Sequence, residues 1–327
     1  MNYRTLGKTG WRVSEISLGT WQIGGGWGGP FDQHAAEEIL TAAVENGVNF
    51  IDTADVYSDG KSERTVGKFI RSRPERIYAA TKCGRRISPH VGAEYTPEAL
   101  CEFVEDSLRN TGLETLDLIQ LHCPPTEVFY RPEIFGEFER LKEEGKIRHL
   151  GVSVEKVEEG LKAIEYPNVD TVQIIFNILR QRPKELFFRE AKKKNIGIIV
   201  RVPLASGLLS GKFDKNTTFA KGDHRYFNRD GAAFDKGETF AGLDYEFGLD
   251  VVENLKAEFP HVSLPQLALR WILMFDAVSC VIPGASTVSQ VESNVHASEM
   301  DSPTDDTMTK IDTLYTELVK PKVHHLW

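Results

Sequence analysis

The sequence predicts a closed barrel of eight parallel strands, each followed by a helix, and three observations lead there. Eight short apolar runs of strand-forming residues recur along the 327 residues. Stretches of helical length and helical periodicity separate them, and parallel neighbours need such crossovers. The runs are apolar on both faces, as strands sandwiched between a barrel interior and a ring of helices must be. They span 15–20, 48–54, 76–83, 116–122, 147–154, 171–177, 196–203 and 278–284.

The intervening patterns support this order. In "DQHAAEEILTAAVENG", Ala36, Ile39, Leu40, Ala43 and Val44 repeat at three-and-four spacing until Gly47 stops the run. "TPEALCEFVEDSLRNTG" places Pro97 in a first helical turn, and "RPEIFGEFERLKEEGK" follows the same design. Before the first strand, "YRTLGKTGWRVS" predicts a β-hairpin turning at "GKTG" and plugging the lower end of the barrel. An open doubly wound sheet is the alternative, but its G-x-G-x-x-G turn is missing, and "GGGWGGP" (24–30) reads as a loop. The long segment 205–246 after the seventh barrel strand is rich in Phe and Tyr, and is expected to be a lid over the barrel mouth. With no linker or repeat, residues 1–327 read as one domain.

Composition excludes several roles. A formal charge of −9 without any Lys/Arg-dense block argues against a nucleic-acid or anionic-membrane partner. No apolar stretch reaches membrane-spanning length and the first residues lack a leader pattern, so a cytoplasmic protein is expected. Cys83, Cys101, Cys123 and Cys280 form no CxxC pair, which predicts small buried side chains and no metal site. Oligomeric state is not readable, because no interface helix declares itself.

Barrel active sites lie at the carboxyl ends of the strands. Four polar residues are expected there: Asp52 closing the second barrel strand, Tyr57 on the loop beyond it, Lys82 closing the third and His122 closing the fourth. A tyrosine is a poor proton shuttle near neutrality unless a cation favours its phenolate. Lys82 can supply that cation, Asp52 can keep Lys82 charged, and His122 can orient a carbonyl by hydrogen bonding. The set suits protonation of a carbonyl oxygen while hydride arrives from a cofactor. Asp55 reads as an Asx-turn residue fixing the loop.

On these residues, and on "FIDTADVYSDGKSE", "TKC", "LHCPP", "GVS", "QIIFN", "PLASGLLSGK" and "IPGASTVSQVESN" in that order, the chain resembles the aldo-keto reductase family over nearly its whole length. The resemblance implies a (β/α)8 TIM barrel holding NADP(H), or less often NAD(H), in extended form across the strand ends. It implies Tyr57 as general acid/base with Lys82 lowering its pKa, Asp52 paired with Lys82, and His122 orienting the substrate. It implies Ser153, Gln173 and Asn177 at the nicotinamide carboxamide. Leu204, Ser206, Gly207 and Leu209 are implied at the pyrophosphate, with backbone N–H groups as donors, and Gly284, Ser286, Gln290 and Asn294 at the adenosine end.

Three departures stand out. Val154 occupies a position where relatives often carry an amide. Arg201 stands where an aromatic commonly stacks on the nicotinamide; a guanidinium can stack too, or attract a carboxylate or the pyrophosphate. Ser286 and Thr287 offer no positive charge to a 2′-phosphate, which favours NAD(H) as the alternative to NADP(H). The small-molecule substrate is expected to be an aldehyde, ketone or sugar-like alcohol, with Trp21, Trp27, Phe129, Tyr130, Tyr226 and Phe227 as wall candidates; the terminal "VHHLW" is expected to be disordered rather than to reach the mouth. Two competing readings are a cofactor-binding regulatory or redox-sensing protein with little turnover, and a metal-dependent barrel lyase.

Overall fold

The computed structural model describes residues 1–24 and 29–327. A short antiparallel hairpin, β1 (Tyr3–Thr5) and β2 (Arg12–Ser14), precedes eight parallel strands in sequential order: β3 (Leu18–Gly19), β4 (Phe50–Asp52), β5 (Tyr78–Cys83), β6 (Leu116–His122), β7 (Ile147–Ser153), β8 (Val169–Ile175), β9 (Gly197–Arg201) and β10 (Val278–Val281). Parallel bridges from Ile16 to Val281 and from Gly19 to Gly284 join the first strand to the last and close the barrel. The eight predicted runs are these eight strands. Their observed edges are shorter because register ends where the chain leaves the sheet.

Helices follow the strands. After β3 comes α1 (Gln33–Glu45), capped by the Asp32 carboxylate, which accepts from the His34 and Ala35 amides. After β4 comes α2 (Lys61–Arg71), and after β5 comes α3 (Pro97–Thr111), with Thr96 as its cap and Pro97 in its first turn as expected. The series continues with α4 (Pro132–Glu143), α5 (Val157–Ala163) and α6 (Phe187–Lys193). Between β9 and β10 the chain runs through a 3-10 segment (Ala205–Ser210), a single turn α7 (His224–Phe227), then α8 (Tyr245–Glu258) and α9 (Leu264–Leu273). The end of the chain supplies α10 (Val288–His296), α11 (Asp305–Leu314) and α12 (Lys320–Val323).

The hairpin plugs the barrel floor as its sequence predicts. Leu6 and Val13 pack with Phe50, Ala80, Leu118, Ile199 and Cys280, one from each of several strands, in a cluster separate from the helix–sheet core. Gly7 sits at φ +49°, and a Cβ there would lie 2.0 Å from the Gly197 nitrogen, so only glycine permits the turn to press on β9. With the floor filled, the open end is the other one. Cys83, Cys123 and Cys280 are buried free thiols and Cys101 is half-buried. No described helix is long and apolar enough to cross a membrane.

Candidate active site

The residues at the carboxyl ends of the strands surround a cavity of about 570 Å³. Its walls include Asp52, Tyr57, His122, Gln173 and Arg201 at one end, Leu204, Ser206 and Gly207 along one side, and Gly284, Ser286, Gln290 and Asn294 at the other. A separate surface hollow beside α6, lined by Lys184, Glu185, Lys192 and Asp276 among others, brings none of these groups together.

The local sequence explains why Tyr57 overhangs the mouth. Beyond β4 the backbone turns through three consecutive left-handed residues, Ser58, Asp59 and Gly60, at φ 49°, 54° and 72°. Such a run is costly for the two non-glycines and is kept only where tertiary contacts demand it. Here it reverses the chain into α2 and leaves the Tyr57 ring edge-on to His122, with centroids 6.0 Å apart, and stacked on Trp21 at 6.2 Å.

Beneath Tyr57 lies a fully buried ion pair. The Lys82 ammonium donates to Asp52 Oδ1, to the Thr53 carbonyl at 2.8 Å and to the Tyr57 hydroxyl at 3.3 Å. Lys82 and Asp52 are no more than 2% exposed, so neither charge is screened by water. The second Asp52 oxygen accepts from Gln173 Nε2 at 2.8 Å and Gln120 Nε2 at 3.0 Å, which satisfies the carboxylate on both sides. Burial works against the Lys82 charge, but Asp52 and Tyr57 outweigh it and raise its pKa. Lys82 therefore stays an ammonium.

Tyr57 departs from expectation in its net shift. Burial pushes the phenol up, and the opposing pull of Lys82 does not cancel it. Lys82 lowers the cost of a phenolate without making one the resting form. His122 is pushed well below its ordinary value by burial and by the nearby Arg85 and Lys82 charges, so its imidazole is neutral near physiological pH. Its Nδ1 is buried without a hydrogen-bond partner among the described residues. A neutral imidazole beside a phenol and an ammonium can hold a polar oxygen but cannot serve as a proton reservoir.

The Asx turn expected at Asp55 is absent. The Tyr57 amide donates to the Ala54 carbonyl, and both Asp55 carboxylate oxygens are buried without hydrogen bonds among the described residues. Burial, and then the Glu63 carboxylate, push this acid up to about 7.

Other expected site residues divide. Gln173, Arg201, Leu204, Ser206, Gly207, Gly284, Ser286, Gln290 and Asn294 line the cavity, whereas Ser153, Asn177 and Leu209 do not. Ser153 is buried with its hydroxyl 3.5 Å from Cys123 Sγ. The Asn177 amide is spent on the backbone, donating to the Val202 carbonyl and accepting from the Leu179 N–H. The Gly207 and Leu209 N–H groups, expected to face phosphate, both donate to the Leu204 carbonyl, so the tight turn uses them internally. At the far end Gln290 Oε1 accepts from the Ser286 amide and hydroxyl, and Thr287 caps α10.

The wall candidates also divide. Trp21 lines the cavity, but Phe129 is core and Tyr130, Tyr226 and Phe227 point to solvent. Trp27, together with most of the glycine-rich loop, lies outside the described residues.

The segment after β9 contributes cavity residues that the sequence did not single out. Phe234 and Glu238 come from its far part, Arg225 from its middle, and Lys212 and Phe213 from near its start. Glu238 is clasped by Arg85 at 3.2 Å and Arg201 at 3.6 Å, while the Ser206 hydroxyl donates to its carbonyl at 2.7 Å. Arg201 also pairs with Glu155 at 3.0 Å and is buried, so it is not a surface ion pair. Burial opposes the Glu238 charge, but the two guanidinium groups hold its carboxyl low, whereas burial drives Glu155 up against the pull of Arg201. Cys123, Glu155 and Glu238 bring three potential ligand atoms within 4.8 Å of one another. The arginines already supply the positive charge between them, which makes this an ion-pair network and not a cation cage.

The chain's last residue fastens this segment. Trp327 is 4% exposed, its indole N–H donates to Asp235 at 2.9 Å, and the Arg180 guanidinium lies 4.0 Å from its ring centre. Gly242, at φ +78°, would place a Cβ 2.1 Å from the ring, so the close contact requires glycine. The terminal residues, expected to be disordered, are thus packed against the segment that lines the mouth.

The sequence profile described as the aldo/keto reductase family matches residues 15–316. An NADH-specific methylglyoxal reductase of Escherichia coli is 29% identical over 315 residues, covering 89% of this chain and 92% of its own. Among solved structures, an aldo-keto reductase of Bacillus halodurans in its holo form superposes with a TM-score of 0.77 at 28% identity, with 96% of each chain covered. The glycerol dehydrogenase of Gluconobacter oxydans superposes at 0.76 and 30% identity, covering 97% of this chain and 96% of that one. With a profile match over most of its length and a barrel mouth built from the same ordered motifs, this chain belongs to the aldo/keto reductase family.

Proposed function

We propose that the protein is a nicotinamide-dependent oxidoreductase that interconverts a small carbonyl compound and its alcohol, with Tyr57 as general acid/base. The observation that carries the reading is the buried Asp52–Lys82 pair delivering an ammonium to within 3.3 Å of the Tyr57 hydroxyl at the open end of the barrel.

A dinucleotide fits the residues present. The cavity runs from the Tyr57 and His122 end to the amino end of α10, where the helix dipole favours an anion. Gln173 and Arg201 would meet the nicotinamide end, Leu204, Ser206 and Gly207 the diphosphate, and Gly284, Ser286, Gln290 and Asn294 the adenosine. Lys212, exposed on the cavity rim, adds a positive charge beside the diphosphate path. When bound, the nicotinamide supplies or accepts the hydride.

In the reducing direction, the carbonyl oxygen accepts hydrogen bonds from Tyr57 and from the neutral His122. As negative charge develops on that oxygen, the Tyr57 proton transfers to it. The resulting phenolate is met by the Lys82 ammonium, which cannot retreat because Asp52, Thr53 and the surrounding barrel fix it. Solvent then returns a proton to Tyr57. Positioned proton transfer of this kind contributes roughly 10²–10⁴-fold to rate.

NADP(H) is our first candidate and NAD(H) the second. Gly284, Ser286, Ser289, Gln290 and Asn294 bring no positive charge to this end of the cavity, and Arg225 is engaged by Asp223 at 2.6 Å. The E. coli relative is named as NADH-specific. Titration of the protein with NADPH and NADH, followed by quenching of tryptophan fluorescence and by turnover on an aldehyde and ketone panel, tests the reading. Binding of either with carbonyl-dependent oxidation supports it. Binding without turnover on any carbonyl would favour the redox-sensing alternative, and no binding would sink both.

A further inference from the structure

Resting on that reading, we infer that Arg85 is a specificity-determining residue that selects carbonyl substrates also carrying a carboxylate, such as oxo acids and semialdehydes. The substrate end of the cavity is walled by Trp21, Tyr57 and His122 on one part and by Arg85, Phe234, Glu238 and Arg201 on another. Two guanidinium groups and one carboxylate therefore line this part of the cavity, in a site largely shielded from water.

The two arginines are not equivalent. Arg201 is committed: its Nη2 contacts Glu155, the Val154 carbonyl and Cys123 Sγ, and its Nη1 faces Glu238. Arg85 makes a single hydrogen bond, from Nη1 to Glu238 at 3.2 Å, and its Nε and Nη2 have no protein partner among the described residues. Those two donors are not among the sealed, unsatisfied atoms of the interior, and the side chain is 18% exposed. The Phe234 ring, 5.1 Å from the guanidinium, leaves the fork accessible from one side only. A planar fork with free donors on the wall of a cavity matches a carboxylate in bidentate fashion.

Proximity to the chemistry is independently visible. Among neighbouring charges, Arg85 is the foremost in disfavouring the protonated form of His122, so its guanidinium and the carbonyl-orienting imidazole share one electrostatic neighbourhood. A cavity of about 570 Å³ that also admits a dinucleotide leaves room for a short substrate, which keeps its carboxylate within reach of Arg85. Glu155 pairs with Arg201 at 3.0 Å and is not among the residues lining the cavity, so the free donors of Arg85 are left to a ligand.

The test compares kcat/KM for succinic semialdehyde and butanal, with the cofactor the protein binds better, in wild type, Arg85→Met and Arg85→Lys. Wild type is expected to favour the carboxylated member about ten- to hundredfold, chiefly through KM, since charge-assisted hydrogen bonds are of that strength. Arg85→Met should bring the ratio close to one, and Arg85→Lys should restore part of it. Glyceraldehyde 3-phosphate against glyceraldehyde is a third arm; a larger preference there would assign the fork to phosphate and overturn the carboxylate inference. A wild-type preference for butanal, or an unchanged ratio in Arg85→Met, would also overturn it, the first even if the variant fails to fold. Turnover of neither aldehyde nor of any carbonyl would count against the reductase reading itself.

Discussion

The two halves of the barrel mouth are built on opposite plans. The Asp52–Lys82–Tyr57–His122 side is delivered by adjacent strands β4, β5 and β6, and its charges are matched one to one inside the sheet. The opposite side is a network of Arg85, Arg180, Arg201, Glu155, Asp235 and Glu238 drawn from five loops and strand ends, tied by a lid and by the last residue of the chain. The first is positioned by the fold itself. The second depends on a segment of some forty residues holding its place, so its stability is more local and its removal more gradual.

The sharpest way to break this comparison is on the strand side. Lys82→Met should abolish measurable carbonyl reduction and cost about 3–5 kcal/mol of stability, because it leaves Asp52 as a buried uncompensated charge. Chemical denaturation and steady-state rates check both parts. Loss of activity at unchanged stability would mean that the amides of Gln120 and Gln173 suffice to hold the carboxylate.

On the lid side the analogous change is milder in its effect on activity. Trp327→Ala should cost about 3–5 kcal/mol, the range for truncating a large buried aromatic. It should also loosen cofactor binding more than it lowers kcat, since Asp235 and Glu238 lose their anchor while Asp52, Lys82, Tyr57 and His122 do not. Fluorescence titration against turnover separates the two. An equal fall in both would join the two halves into one unit.

Most of the strand side was legible in the sequence and little of the lid side was. Asp52, Lys82 and His122 end apolar runs whose period and spacing expose them, so local pattern was enough. Glu238 and Asp235 lie in a polar, glycine-rich stretch with no periodicity, and their partners are encoded between about 40 and 155 positions earlier or at the chain's end. Only tertiary structure joins them. Even on the legible side, local pattern does not show what burial does: Lys82 favours the Tyr57 phenolate as expected, but desolvation outweighs it and raises the phenol, and the buried Asp55 carboxylate forms no turn. Nor does it show that the turn placing the Gly207 and Leu209 amides, expected to face phosphate, consumes them.

Asp55 offers a subtler probe of the strand side. Its carboxyl is raised to about 7, above the ordinary aspartate value near 4, so the folded protein keeps a proton that the unfolded chain has already lost. That contribution is fully present below pH 4 and is lost as pH rises through 7. Asp55→Asn should therefore flatten the fall in stability between pH 5 and pH 8 and be the more stable protein at pH 8, by on the order of 2 kcal/mol. Thermal melts of both proteins across that range check it. Parallel pH curves would assign the fall to other groups.

The smallest expected effect concerns the cofactor's 2′-phosphate. Since Ser286, Ser289 and Gln290 offer no positive charge, the dissociation constants for NADPH and NADH should differ by less than about tenfold, or 1.4 kcal/mol. Lys212→Ala should weaken both cofactors alike, because the diphosphate beside it is common to the two. A much larger discrimination would locate a phosphate site elsewhere on the mouth.

The central claim is that Tyr57 donates the proton, and it is tested most directly by single-turnover reduction of an aldehyde by Tyr57→Phe with cofactor prebound. The account predicts a loss of at least about 10²-fold in the rate of the chemical step, with cofactor affinity and melting temperature near those of the wild type. A variant that reduces the aldehyde at the wild-type rate would contradict it and leave His122, or a bound water, as the proton source.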